Sequence, residues 1–236
     1  MVSIVCAVMN RAPALHVALT SWRLQRDVTE IVIVDWNSEI PLAPLAREDD
    51  RIRIVRVDHE PRFHLAAAFN LAADCASHPV LLKLDADYVL NPYYRFCASH
   101  PLPERGFFTG HFKHDGPFTS FLNGLICVRA EDWRRVHGYN EHLEGYGWED
   151  DDFYLRLEAA GLRRWILPPD PATAFHIPHG HDVRMHHYDD KDRNRSHRQN
   201  RAQAAAMAYT CRRFAWHLSP AGTRVQVAAK RPGDTT

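Results

Sequence analysis

Short unbroken apolar runs alternate with stretches of helical periodicity through the first ninety residues. Val2–Val8, Ile31–Val34 and Val80–Leu84 are continuous and rich in β-branched residues, as strands buried on both faces must be. Ile52–Val57 is a further strand, interrupted by Arg53 and Arg56. Between them, Leu15, Ala18, Leu19 and Trp22, and then Leu65, Ala68, Phe69, Ala72 and Ala73, repeat at the spacing of one helix face. Asn10 is placed to cap the first helix, and Pro13 suits its first turn. This alternation predicts an α/β fold with right-handed crossovers and a mostly parallel central sheet. In such a sheet ligands bind beyond the C-terminal strand ends, where Asn10, Asp35, Asp85 and Asp87 fall.

The second half changes pattern. Phe107–His111 and Phe118–Val128 read as strands around a polar turn, and Ala130–Val136 as a short helix. A glycine–aromatic–acid stretch leads into a helix that runs to about Ala160, and a short strand over Arg164–Leu167 precedes a stiff connector at Pro168, Pro169 and Pro171. Ala172–His176 leads into three closely spaced histidines. The expected organisation is one domain over residues 1–181, built as two halves, 1–90 and 91–181. Residues 182–192 are expected to be mobile, Arg193 to about His217 helical, and 218–236 a disordered tail.

With 45% hydrophobic residues in 236, the chain can bury a sizeable core. Lys and Arg total 29, as do Asp and Glu, so net charge directs the chain to neither nucleic acid nor membrane. Five cysteines without a C-x-x-C read as free buried thiols of a reducing compartment. The N-terminus has no basic leader region and no apolar run approaches a membrane span. A cytoplasmic protein is expected, with peripheral association at the inner face of a membrane as the variant.

Two acidic clusters carry the candidate chemistry. Asp85-Ala86-Asp87 follows a buried strand and can hold a hard divalent cation, although Asp is also an ordinary turn residue there. Gly145-Tyr146-Gly147-Trp148-Glu149-Asp150-Asp151-Asp152 joins two aromatics to four acids at a helix start. First-turn acids are favoured by the helix dipole alone; a carboxylate beside an aromatic platform is the sharper reading. His176 and His179 offer imidazole to a borderline metal of the manganese kind. Between Arg184 and Arg213, one or two of the basic residues could clamp a diphosphate. The G-x-G-x-x-G and P-loop fingerprints are absent.

Taken in order, these residues resemble GT-A fold glycosyltransferases of the family 2 type. Those carrying the resemblance are Asn10-Arg11, Asp35 with Ser38, Phe69-Asn70, Leu-Asp-Ala-Asp, Phe121-Leu-Asn-Gly-Leu-Ile-Cys-Val-Arg129 and the run from Gly138 to Asp152. The second half is similar to the β-1,4-galactosyltransferases, whose hallmark is Gly-Trp-Gly-Gly-Glu-Asp-Asp-Asp. The likeness covers residues 2–181 and implies a Rossmann-like nucleotide-diphospho-sugar transferase fold. It implies nucleotide-sugar contacts at Val8, Asn10, Arg11, Asp35, Asn70, Lys83, Asp85, Ala86, Tyr146 and Trp148, with Asp35 at the base. It puts the metal on Asp87, with Asp85 assisting and His176 or His179 as a further ligand. Glu149 would hold the acceptor and Asp150 would act as general base. The metal would be Mn2+, with Mg2+ as the alternative. The donor would be a UDP-sugar of the galactose or N-acetylhexosamine type, since Tyr146 and Trp148 stand where the galactosyltransferases have Trp and Gly. The acceptor hydroxyl could belong to a glycan, a lipid-linked sugar, a protein or a small molecule.

The chemistry is coherent with that resemblance. Cleaving a sugar–diphosphate bond builds negative charge that a divalent cation neutralises, while a carboxylate activates the acceptor from the opposite face and inverts the anomeric centre. A sugar-1-phosphate nucleotidyltransferase would share the sheet and the metal but needs a Gly-rich loop after the first strand. A non-catalytic carbohydrate-binding module would not need both acidic clusters.

Overall fold

The computed structural model describes residues 1–92, 99–112, 121–167, 173–206 and 211–229. A nine-stranded sheet in the order β10-β11-β3-β2-β1-β4-β7-β6-β8 organises the molecule. Its members are β1 (Val2–Val8), β2 (Val28–Trp36), β3 (Ile52–Val57), β4 (Val80–Lys83), β6 (Gly106–Thr109), β7 (Ile126–Arg129), β8 (Arg163–Ile166), β10 (Phe214–Leu218) and β11 (Arg224–Ala229). A separate antiparallel pair joins β5 (Tyr88–Leu90) to β9 (Ala174–His176). Neighbours from β11 through β3, β2 and β1 to β4 are parallel, as the alternating pattern predicts. Beyond β4 the direction reverses, with β7 antiparallel to both β4 and β6.

Strand periodicity sends alternate residues of β1 into two cores. Val5 and Ala7 enter one, which includes α2 (Leu65–Cys75) and the buried rings Trp133, Tyr139 and Phe153. Ile4, Cys6 and Val8 enter the other, with Leu15, Leu19 and Trp22 of α1 (Ala12–Arg23). The remaining helices are α3 (Ala130–Arg135), α4 (Glu149–Ala159), α5 (His181–Met185) and α6 (Arg193–Ala206). Cys6, Cys75, Cys127 and Cys211 are buried. Among the described residues no helix is long and apolar enough to cross a membrane.

Several expectations are corrected. Asn10 does not cap α1; its φ is 55° and its Oδ1 accepts from the Glu39 amide at 2.8 Å, pinning the β2 exit loop instead. The strand expected over Phe118–Val128 is confined to Ile126–Arg129, because Leu122–Leu125 forms a turn closed by the Leu125 amide on the Leu122 carbonyl; residues 113–120 lie outside the described set. The proline connector also lies outside it. The mobile segment expected over 182–192 includes the end of α5, and Met185 and Tyr188 are buried. Lys191 Nζ ties it down by donating to the carbonyls of Met185 and His186 at 3.0 and 2.8 Å.

The helix expected to reach His217 is described over Arg193–Ala206, Phe214–Leu218 is a strand instead, and much of the expected tail is a β10–β11 hairpin whose β11 adds parallel to β3. Its anchor is Glu141, whose side chain is fully buried. Its carboxylate accepts from the amides of Arg213 and Phe214 at 2.6 and 2.8 Å, and from Asn70 Nδ2 at 2.8 Å. Truncating it leaves three donors without their acceptor, the buried Asn70 amide and the half-buried amides of Arg213 and Phe214. Glu141→Ala is expected to cost about 3–5 kcal/mol in urea unfolding; a loss under about 1 kcal/mol would mean that the hairpin is held by other contacts.

Candidate active site

A cleft of about 620 Å³ opens at the C-terminal ends of β1 and β4. Val8, Arg11, Asp85, Ala86, Asp87, Tyr146, Trp148, Glu149, Asp150, His176 and His179 all line it. Two stretches more than fifty residues apart in sequence thus face one another.

On one wall, β5 and β9 bring the Asp85–Asp87 turn against His176. The pairing sets Tyr88 opposite His176, and the Ile177 amide donates to the Asp87 carbonyl at 2.8 Å. Asp87 Oδ2 lies 3.0 Å from His179 Nε2 and 3.6 Å from His176 Nε2. The donor atoms of these three residues lie within 4.8 Å of one another. His179 Nδ1 sits 3.0 Å from the Gly180 carbonyl, an acceptor, so this nitrogen carries a proton and Nε2 is the one turned to the cleft. A divalent cation bound between His179 Nε2 and the Asp87 carboxylate would take the place of the proton they share. One oxygen and two nitrogens suit a borderline divalent ion such as Mn2+. Arg11 Nη2 also meets Asp87 Oδ2, at 2.7 Å. Burial alone would raise the Asp87 pKa, but hydrogen bonds from His176 and His179, with the nearby positive charge, hold it well below the usual carboxylate range.

The facing wall is the glycine–aromatic–acid loop. Gly145, Gly147 and Trp148 all adopt left-handed backbone, at φ 83°, 90° and 76°, so the chain coils tightly before α4 begins. A Cβ on Gly145 would fall 2.5 Å from Ser196 Oγ. Helix α6 presses directly on this coil. Ser196 Oγ accepts from the Tyr146 amide at 2.8 Å, and Asn200 Nδ2 donates to the Gly147 carbonyl at 2.8 Å. The Trp148 ring meets His197 edge-on at 5.4 Å and lies under the Arg201 guanidinium at 5.0 Å. Asp152 holds Arg156 one turn along α4 at 2.8 Å, the helix-stabilising role open to first-turn acids.

Glu149 and Asp150 stand side by side in the cleft. Glu149 Oε2 is buried with no hydrogen-bond partner among the described residues. Burial first, and then the Asp150 charge, push the Glu149 pKa up to about 8. Burial also raises that of Asp150, opposed chiefly by the Lys83 charge. The native state therefore holds a proton that the unfolded chain has already lost between the ordinary glutamate range and about pH 8. Stability should fall as pH rises through that window. Urea titrations at several pH values should show Glu149→Gln flattening this slope by up to about 1.4 kcal/mol per pH unit; parallel slopes would exclude a protonated Glu149.

Some sequence-assigned residues lie elsewhere. Asp35 is fully buried away from the cleft, accepting from the Ser38 and Leu42 amides at 3.1 and 3.0 Å and from Arg56 Nη1 at 2.8 Å. Asn70 is buried too; it accepts from the Tyr139 amide and donates to the Tyr139 carbonyl, both at 2.8 Å. Asp85 stands outside the three-residue metal group; its Oδ1 takes an ion pair from Lys83 at 2.9 Å. Lys83 lies beneath the cleft floor, 2% exposed. Conversely, Phe63, Leu65, His187 and Asn194 line the cleft unannounced, whereas Arg193 comes from the basic stretch expected to reach a diphosphate. Phe63, an aromatic in the polar loop before α2, was the one legible signal among them.

Comparison with known proteins fits this geometry. Residues 3–96 match the family described as Glycosyl transferase family 2, and residues 105–180 match the N-terminal domain of galactosyltransferase. A mannosyltransferase from Pyrobaculum calidifontis, solved with GDP-Man and Mn2+, superposes with a TM-score of 0.64 at 20% identity, over 89% of this chain and 65% of that one. The catalytic domain of Drosophila β-1,4-galactosyltransferase 7, solved with xylobiose, superposes at 0.59 with 16% identity, over 98% and 94%. The chain has the GT-A glycosyltransferase fold. Within sequence relatives the similarity is local. Drosophila melanogaster β-1,4-galactosyltransferase 7 is 35% identical over 46 residues, 20% of this chain and 14% of its own length. Human β-1,4-galactosyltransferase 5 is 32% identical over 65 residues, 28% and 17%. The GT-A chain thus aligns with less than a fifth of each of these two curated relatives.

Proposed function

We propose that this chain is a metal-dependent, inverting glycosyltransferase that moves a hexose from a UDP-sugar to a hydroxyl acceptor. The observation that carries it is the convergence, in one cleft, of the Asp87–His176–His179 group and the Glu149–Asp150 pair. A neighbouring fly galactosyltransferase was solved with manganese, UDP-Gal and xylobiose, which supports the donor class. The donor's diphosphate lies toward Asp87, His176 and His179, the residues that would hold Mn2+ or, less well matched to two imidazoles, Mg2+. A divalent cation there supplies charge neutralisation for the leaving diphosphate. Arg11, paired with Asp87, adds positive charge at the same end.

The acceptor approaches from the Glu149–Asp150 side. Asp150 takes the proton of the acceptor hydroxyl as its oxygen bonds to the anomeric carbon. The carbon–phosphate-oxygen bond breaks on the opposite face, and its electron pair leaves with UDP. Glu149, protonated at neutral pH, donates a hydrogen bond to a sugar oxygen. Tyr146 and Trp148 offer apolar ring surface to the sugars, with galactose or an N-acetylhexosamine as donor. Residues 1–90 and 91–181 divide as donor and acceptor halves of one domain. The protein works in the cytoplasm, free or at the inner face of a membrane.

Incubation with Mn2+ and a panel of nucleotide sugars, following release of nucleoside diphosphate, tests this function. Release of UDP that stops with a chelator is expected. Release of pyrophosphate instead would identify a nucleotidyltransferase.

A further inference from the structure

The proposed base does not stand alone. Asp150 Oδ1 accepts from Tyr139 Oη at 2.6 Å and lies 3.4 Å from Lys83 Nζ. Both contacts fall on the same oxygen, and neither reaches Oδ2. Tyr139 and Lys83 are themselves fixed. Tyr139 is fully buried, its ring stacked on Phe153 at 4.7 Å and edge-on to Trp133 at 5.2 Å. Its backbone is clamped at both ends by Asn70. The Lys83 ammonium lies 4.3 Å over the Phe69 ring and also pairs with Asp85 at 2.9 Å. Gly124 lets it sit there, since a Cβ at that position would fall 3.0 Å from Lys83 Nζ and 2.7 Å from Asp85 Oδ2.

We propose that Tyr139 and Lys83 are positioning residues for Asp150, both holding Oδ1 so that Oδ2 is presented to the acceptor hydroxyl. The proposal rests on the glycosyltransferase reading above and gives that reading a built base. A carboxylate free to rotate about its last bond offers either oxygen in many orientations. One clamped at Oδ1 offers Oδ2 along a single line, the arrangement in which a base is oriented by a third group. Lys83 serves both acidic clusters. Its charge opposes protonation of Asp150 in a buried setting, and its pair with Asp85 ties the base wall to the strand end that carries Asp87. Thus Lys83, expected from sequence to touch the donor, acts instead from beneath the floor. Tyr139 belongs to the Gly138-Tyr-Asn-Glu141 turn, whose left-handed His137 and Gly138 aim the ring inward.

Tyr139→Phe in the full chain is the decisive variant, because it keeps the ring and its packing and removes only the hydroxyl. With UDP-galactose, UDP-N-acetylglucosamine, UDP-N-acetylgalactosamine and GDP-mannose as the donor panel and Mn2+ present, kcat for diphosphate release should fall about tenfold. KM for the donor and calorimetric UDP affinity should stay unchanged, and the protein should remain folded at the assay temperature. Lys83→Met should cut kcat further, by about a hundredfold or more. A kcat for Tyr139→Phe within twofold of the parent would overturn the proposal, as would UDP affinity falling in step with kcat. Asp150→Asn separates the two levels. If it is inactive while Tyr139→Phe is normal, only the positioning role fails. If it is fully active, or if no donor in the panel is turned over, the glycosyltransferase reading fails and this inference with it.

Discussion

Asp87→Ala should abolish Mn2+-dependent UDP release, lowering it by about a thousandfold or more, while the chain still folds. The expectation follows from where that side chain sits. Its Oδ2 is the common point of His179 Nε2, His176 Nε2 and Arg11 Nη2, at 3.0, 3.6 and 2.7 Å. Without it, two imidazoles and a guanidinium face one another with no anion among them, and a cation entering would be repelled by Arg11. Calorimetry should show loss of Mn2+ binding, with UDP affinity falling in parallel. Asp85→Ala should fall short of this, because Asp85 spends an oxygen on Lys83 and stands outside the ligand group. Equal losses in both variants would return Asp85 to the metal. A chelator added to the unaltered protein should reproduce the Asp87→Ala result, and restored Mn2+ should reverse the chelator but not the substitution.

Asp150→Asn should separate binding from chemistry. The amide keeps size and still accepts from Tyr139 Oη and Lys83 Nζ through one oxygen, so the loop and α4 keep their places. It cannot take a proton. UDP and Mn2+ affinity should match the parent within about twofold, while transfer falls by about 10²–10⁴-fold, the usual range for a general base. Single-turnover rates measured with saturating donor give the comparison. Turnover within tenfold of the parent would remove Asp150 as base and leave the neighbouring Glu149, whose raised pKa of about 8 makes it a poor proton acceptor at neutral pH.

Much of this site was legible in the sequence because its parts are local. Apolar runs terminating in Asp or Asn announce a parallel sheet and its ligand-binding edge, and β1, β2, β3 and β4 lie where those runs predicted. The glycine–aromatic–acid stretch is equally legible, since two glycines before a first turn of acids specify a coil entering a helix. Long-range partnership is what the pattern hides. Asp35 ends a buried strand and reads as a ligand, yet Arg56, two strands' length further on, claims its carboxylate. Asn70 likewise faces Tyr139 and Glu141, some seventy residues away, rather than a nucleotide. The β10–β11 hairpin escaped notice because its strands are half-exposed and follow Arg-rich sequence, so periodicity gives little contrast; its hold comes from Glu141. Lys83 looked like a strand end at the donor because nothing in its own segment shows that Asp150 waits 3.4 Å away on another wall.

The most direct measurement of the central claim is Mn2+ binding coupled to UDP. Calorimetric titration of UDP into the 236-residue chain, with and without Mn2+, and into Asp87→Ala and His179→Ala variants, reads the proposed metal centre without any need to know the acceptor. The account predicts tight UDP binding only when Mn2+ is present, lost in Asp87→Ala and weakened about 10–100-fold in His179→Ala. UDP binding that ignores Mn2+, or that survives both substitutions, would contradict a metal-dependent nucleotide-sugar site in this cleft.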